Sequence, residues 1–136
     1  MKFKQTDPSV PGDWFDLAED RLKIADLAWK HEGMTAAGLE CLQESAERYI
    51  KGFLVAKGWQ LVKTHDLGRL LRDANAIDPK FKVFLTMANE LTDDFFAQHY
   101  PGGDLTNLGQ NYESMRAEVG QMIELIKTSL PQFFPK

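Results

Sequence analysis

The stretch that most narrows what this chain can fold into is residues 39–71, LECLQESAERYIKGFLVAKGWQLVKTHDLGRLL. Leu39, Leu42, Ala46, Tyr49 or Ile50, and Phe53 follow at steps of three and four, so a helix lines them along one face. Glu47 and Lys51 sit on the flank of that face with the acid first, the favourable order for a helical ion pair. Read without further context, the pair is solvated and contributes about 0.2–0.5 kcal/mol. Gly58 breaks the helix. Thr64-His65-Asp66 then reads as the start of a short helix carrying Leu67, Leu70 and Leu71, with polar groups gathered at the junction.

The flanking segments repeat the same period. Asp13 is placed to cap a first helix from about Asp13 to His31, with Asp16 and Glu19 in its early turns. Trp14, Leu17, Arg21, Ile24 and Ala28 trace one face, Leu22, Ala25 and Trp29 widen it, and Glu32-Gly33 stops it. Thr35 caps helix two, which runs to about Lys57 and Gly58. Gly38 and Gly52 inside it either admit a close neighbour or are tolerated at about 1 kcal/mol each relative to alanine. Helix three is expected from Thr64 or His65 to Asn75. Asp78-Pro79 opens helix four, whose seam is Phe81, Phe84, Ala88, Leu91 and Phe95. Pro101-Gly102-Gly103 ends it after His99. Tyr112, Met115, Val119, Met122 and Ile126 make the seam of helix five up to Pro131, and Phe133 and Phe134 follow in a tail that is either exposed or docked. The pattern predicts an all-α fold, an up-and-down bundle of four long helices plus one short helix, in a single domain over residues 1–136.

With 43% hydrophobic and 26% charged residues, such a chain buries a core without metal or disulfide. A net charge of -4 gives no overall pull toward nucleic acid. The amino-terminal residues lack the apolar run of a secretory signal, and no stretch approaches the ~20 apolar residues of a membrane span. A cytoplasmic protein without a membrane partner is expected. Cys41, beside the apolar stripe, reads as a plain buried or half-buried thiol. Three histidines and one cysteine without HExxH or CxxC give no zinc site. There is no phosphate loop, dinucleotide-binding glycine turn or serine elbow. No metal or cofactor is expected.

Three polar groups remain as candidates. Glu47 and Lys51, with Arg48 beside them, are either a helical ion pair or part of a site. Thr64-His65-Asp66 with Arg69 is either a helix cap or a helix start that binds phosphate, with the histidine adding a donor. Gln98-His99-Tyr100 lies before an ordinary proline-glycine stop. That stop does not explain the pairing of His99, a donor or base, with Tyr100, able to stack on a nucleobase or act as a nucleophile. His31 reads as a favourable helix C-terminal residue.

Three segments carry a family resemblance. WFDLAEDRLKIADLAWK is compatible with the family's opening helix. QESAERYIKGFLVAKG followed by THDLGRLL is similar to its Glu-x-x-x-Lys helix and Thr-His-Asp-Leu step, and AQHYPGG to its Tyr-Pro turn. On these the chain resembles the HEPN family of small helical domains. The resemblance implies an up-and-down bundle, usually a homodimer, often encoded beside a minimal nucleotidyltransferase in toxin–antitoxin-like pairs. Some members are metal-independent ribonucleases with an Arg-x4–6-His pattern. Here the residues five to seven before His99 are Asp94, Asp93 and Thr92; before His65 they are Gln60, Trp59 and Gly58; before His31 they are Asp26, Ala25 and Ile24. Where many relatives carry arginine before Tyr-Pro, this chain has His99. The missing arginine argues against RNA cleavage.

The expectation is therefore a non-catalytic HEPN domain that dimerises and binds a nucleotide or a nucleotidyltransferase partner. Its site comprises Glu47, Lys51, His65, Asp66, Arg69, His99 and Tyr100. Lys51 and Arg69 attract phosphate, His65 donates a hydrogen bond, and Tyr100 stacks on the base. The alternatives are a ribonuclease toxin with His99 or His65 as base and Lys51 or Arg69 in place of the arginine, and a purely structural interaction module. Trp29, Trp59, Phe96, Phe133 and Phe134 exceed one apolar stripe and serve either the dimer or the monomer core.

Overall fold

The computed structural model describes residues 3–136, and among them there are five α-helices and no strand. The helices are α1 (Pro11–Glu32), α2 (Ala36–Ala56), α3 (Leu67–Ile77), α4 (Leu85–His99) and α5 (Tyr112–Ser129), with 3₁₀ turns at Pro79–Phe84 and Pro131–Phe133. The all-α bundle expected from the periodicity is what forms. α2 packs against each of the other four helices, and its seam residues Leu39, Leu42, Ala46, Ile50 and Phe53 are fully buried. None of the described helices is long and apolar enough to cross a membrane.

The closest pairing is that of α1 with α2. A Cβ on Gly52 would lie 2.5 Å from the ring of Phe15, and one on Gly38 would lie 3.2 Å from Cβ of Ala28. The small residues therefore admit a close neighbour. Between them, Ser45 Oγ donates to the Ala18 carbonyl at 2.8 Å. Gly33, at φ 74°, closes α1 and donates its N–H to Trp29 O.

Three helix starts differ from the expectation. α1 begins at Pro11 with Val10 in the capping position, because proline needs no hydrogen-bond partner for its nitrogen there. Asp13 lies inside the first turn. Its carboxylate accepts from the Asp7 N–H at 2.9 Å and pairs with Lys4 at 2.8 Å, tying the lead-in to the helix. The Lys4 hydrogen bond first, and then that of Asp7, hold the Asp13 carboxyl below the ordinary carboxylate range.

α3 begins at Leu67 and is capped by Asp66, which accepts from Arg69 N–H at 3.1 Å; Thr64 is not the cap. The carbonyls of Thr64 and His65 are already taken by side chains from α2, so the chain stays extended until Asp66. Helix four opens at Asp78-Pro79 as expected, with Asp78 accepting from Lys80 N–H, but its first six residues wind as a 3₁₀ helix. The tighter winding stacks Phe81 and Phe84, three apart, on one side, and both are buried.

Most of the surplus aromatic residues complete the monomer. Phe133 and Phe134 dock on Phe15 with ring centroids 5.9 and 4.7 Å away, and Trp29 stacks on Tyr112 at 4.9 Å. Trp59 packs on the core and donates its indole N–H to Asp73. Phe96 and Trp29 stay exposed, Trp29 despite its stacking. Cys41 is a half-buried thiol whose pKa burial pushes up.

Gly52→Ala is expected to destabilise the protein by about 1–3 kcal/mol, because Phe15 or a whole helix has to move. Gly12→Ala, in open space, serves as the control. Urea unfolding checks both: the midpoint falls for the first and holds or rises for the second.

Candidate ligand-binding surface

One turn apart along α2, Gln43, Glu47 and Lys51 project toward the extended segment before α3, and they are only 1%, 4% and 6% exposed. Gln43 Nε2 donates to the carbonyl of His65 at 2.8 Å, and Lys51 Nζ donates to the carbonyl of Thr64 at 2.9 Å. Between them, Glu47 Oε1 lies 2.8 Å from His65 Nδ1. The Glu47 and Lys51 side chains are 3.8 Å apart, and the ammonium also lies 5.6 Å from the centroid of the Trp14 ring. Burial pulls the Lys51 pKa below the ordinary lysine value, with Glu47 opposing the shift.

The pair is therefore not solvated, as an isolated helical pair would be. It is a buried clamp on the linker, and Lys51 turns its charge to Thr64, Glu47 and Trp14. A phosphate arriving from solvent does not find that ammonium open to it.

His65 is held at one nitrogen and open elsewhere. Its side chain is 62% exposed, and its ring rests on Phe95 with centroids 5.7 Å apart. Phe95 in turn meets His99 at 5.5 Å, and His99 meets Tyr100 edge to face at 5.2 Å and 85°. Phe95 itself is buried, whereas His99 and Tyr100 are exposed, Tyr100 at 75%. Phe96, also exposed, meets Phe95 edge to face at 5.5 Å. The end of α4 and the start of α3 thus share one run of rings.

The expected residues divide into three sets. Glu47, Lys51 and His65 meet directly, while His99 and Tyr100 join them through Phe95. Asp66 spends a carboxylate oxygen capping α3, and the side chain of Arg69 is exposed. What results is an open surface. A cleft of about 430 Å³ lies elsewhere, between the lead-in, α1 and the tail, lined by Phe15, Glu19, Tyr49 and Phe133 among others.

Three contributors were not singled out from the sequence. Gln43 repeats the four-residue step of Glu47 and Lys51, a signal that was there to read. Phe95 shows only as a core residue. Thr92, whose hydroxyl accepts from Leu67 N–H at 3.1 Å and fixes α4 to the start of α3, has no sequence signal.

The described residues thus form an all-helical bundle in which the Glu47–Lys51 stretch of α2 is clamped on Thr64 and His65. Residues 12–129 match the HEPN domain, and the chain belongs to the HEPN family. No curated protein and no solved structure gave a match. Among the described residues no cluster of three or more histidine, cysteine or acidic side chains is arranged to hold a metal ion.

Lys51→Ala leaves the Glu47 carboxylate buried without its cation and is expected to cost about 3–5 kcal/mol. Thermal unfolding measures this. His65→Ala, at an exposed ring, is expected to lower the melting temperature far less.

Proposed function

We propose that the protein is a non-catalytic HEPN domain of the cytoplasm that binds a nucleotide on the surface running from His65 to Tyr100. It works as a homodimer beside a minimal nucleotidyltransferase, in a toxin–antitoxin-like pair. The observation that supports the ligand is the run of rings His65, Phe95, His99 and Tyr100, whose outer members are exposed. Every nucleobase has a face that stacks on such rings, and this contact requires no catalytic group. Arg69, exposed on the first turn of α3, is the cation left to meet phosphate, since Lys51 is occupied. The non-catalytic part of the reading rests on Asp94, Asp93 and Thr92 standing where a ribonuclease of this family carries arginine.

Calorimetric titration of AMP, ATP and GTP tests the ligand. Binding with a dissociation constant below about 1 mM is expected. Tyr100→Ala is expected to weaken it about tenfold, as loss of one base-stacking ring does. No heat from any nucleotide at millimolar concentration overturns the reading. Light scattering at twice the monomer mass, and co-purification with a nucleotidyltransferase expressed from the neighbouring reading frame, test the two partners.

A further inference from the structure

We infer that His65 reads its ligand as a hydrogen-bond acceptor, and so selects for an amino or hydroxyl group of the nucleotide rather than for its phosphate. The inference rests on the binding surface proposed above and narrows what that surface takes.

Glu47 Oε1 stands 2.8 Å from His65 Nδ1. An ionised carboxylate only accepts hydrogen bonds, so the proton of this contact sits on Nδ1. A neutral imidazole carries one N–H, and here Glu47 uses it. Nε2 is then left with a lone pair, on a side chain that is 62% exposed. The arrangement is fixed from behind. Gln43 holds the backbone of His65 through its carbonyl, and Lys51 holds that of Thr64, each within hydrogen-bond distance. Phe95 supports the ring from below at 5.7 Å. The tautomer is thus set by a buried residue, on a side chain that is largely exposed.

An ionised phosphate offers only acceptors, so it makes no hydrogen bond to a bare Nε2. The expectation that His65 donates to a phosphate gives way on this point. The groups of an adenine nucleotide that do donate are the exocyclic amino group of the base and the hydroxyls of the ribose. A ligand that reaches across Phe95 from the His99–Tyr100 corner presents one of these to His65.

The test compares AMP, purine riboside 5′-monophosphate (no amino group and no N1–H) and 2′,3′-dideoxy-AMP by calorimetry on the full chain, in weakly alkaline buffer where an ordinary histidine is neutral. If the base amino group is the donor, purine riboside 5′-monophosphate binds about fivefold more weakly than AMP and 2′,3′-dideoxy-AMP binds as AMP does. If a ribose hydroxyl is the donor, the two exchange places. In either case His65→Ala makes all three ligands equal while keeping the stacking contribution. Glu47→Gln, whose amide can donate to Nδ1, removes the preference by allowing the other tautomer.

Equal affinities of the wild type for all three overturn the inference and leave the binding surface standing. Binding of none overturns the surface and the inference with it. Two-bond ¹H–¹⁵N spectra of the wild-type histidine rings give a reading that depends on no variant and no ligand. A protonated Nδ1 with a bare Nε2 on His65 supports the assignment, and a proton on Nε2 overturns it.

Discussion

A carboxylate and an ammonium group taken out of water each lose several kcal/mol of hydration, and the Glu47–Lys51 separation of 3.8 Å is too long for their attraction alone to restore it. What sustains them is the linker. Residues 59–66 run without helix or sheet, so their backbone carbonyls need partners, and the side chains of α2 supply them at Thr64 and His65. The dependence is mutual. The charged pair is satisfied by the segment it holds, and the segment keeps an extended path because the pair is there. This is why α3 starts at Leu67 and why His65 is presented beyond the bundle and not wound into a helix.

The opposite side of α2 explains how such a polar row can be buried at all. Gly38, Ser45 and Gly52 recur every seven residues and bring α1 close, with Ser45 bonded to Ala18 and Gly52 against the Phe15 ring. At about 100° per residue, Ser45 and Glu47 point about 200° apart, so small residues and clamp residues occupy opposing faces. α2 is therefore enclosed from both sides: α1 approaches because there is nothing to hold it off, and the linker approaches because there is something to hold it.

Apolar seams on α2, α4 and α5 were readable because their period survives any packing arrangement. On α1, however, the buried stripe is Phe15, Ala18, Leu22 and Ala25, one residue on from Trp14, Leu17, Arg21 and Ile24, and Ile24 is exposed. Caps were less readable. Asp13 and Thr64 are good capping residues by type, yet a proline two positions earlier and a pair of captured carbonyls decided the outcome against each. The burial of Glu47 and Lys51 had no direct sign either, since an acid and a base four apart look alike on a wet helix face and a dry one. Only Gln43, continuing their step with a third polar residue, separates the two cases. The link from His65 to His99 was hidden for a different reason: it passes through Phe95, which serves the core and the surface at once.

The departure from the ribonuclease pattern also has a structural side. Asp94 lies five residues before His99, within the span where an arginine would stand, and its carboxylate accepts from the backbone N–H of Gly109 at 3.3 Å. Partial burial pushes its pKa up, against the hydrogen bond from Gly109. That contact fastens the long α4–α5 connection to the last turns of α4, close in sequence to His99 and Tyr100. An arginine has only donors and cannot accept this bond. Restoring the family's cation at position 94 would therefore remove the anchor of the loop while adding the phosphate contact. The acid has a role that the catalytic residue could not fill, which is why a single exchange is a poor route from this surface to a cleaving one.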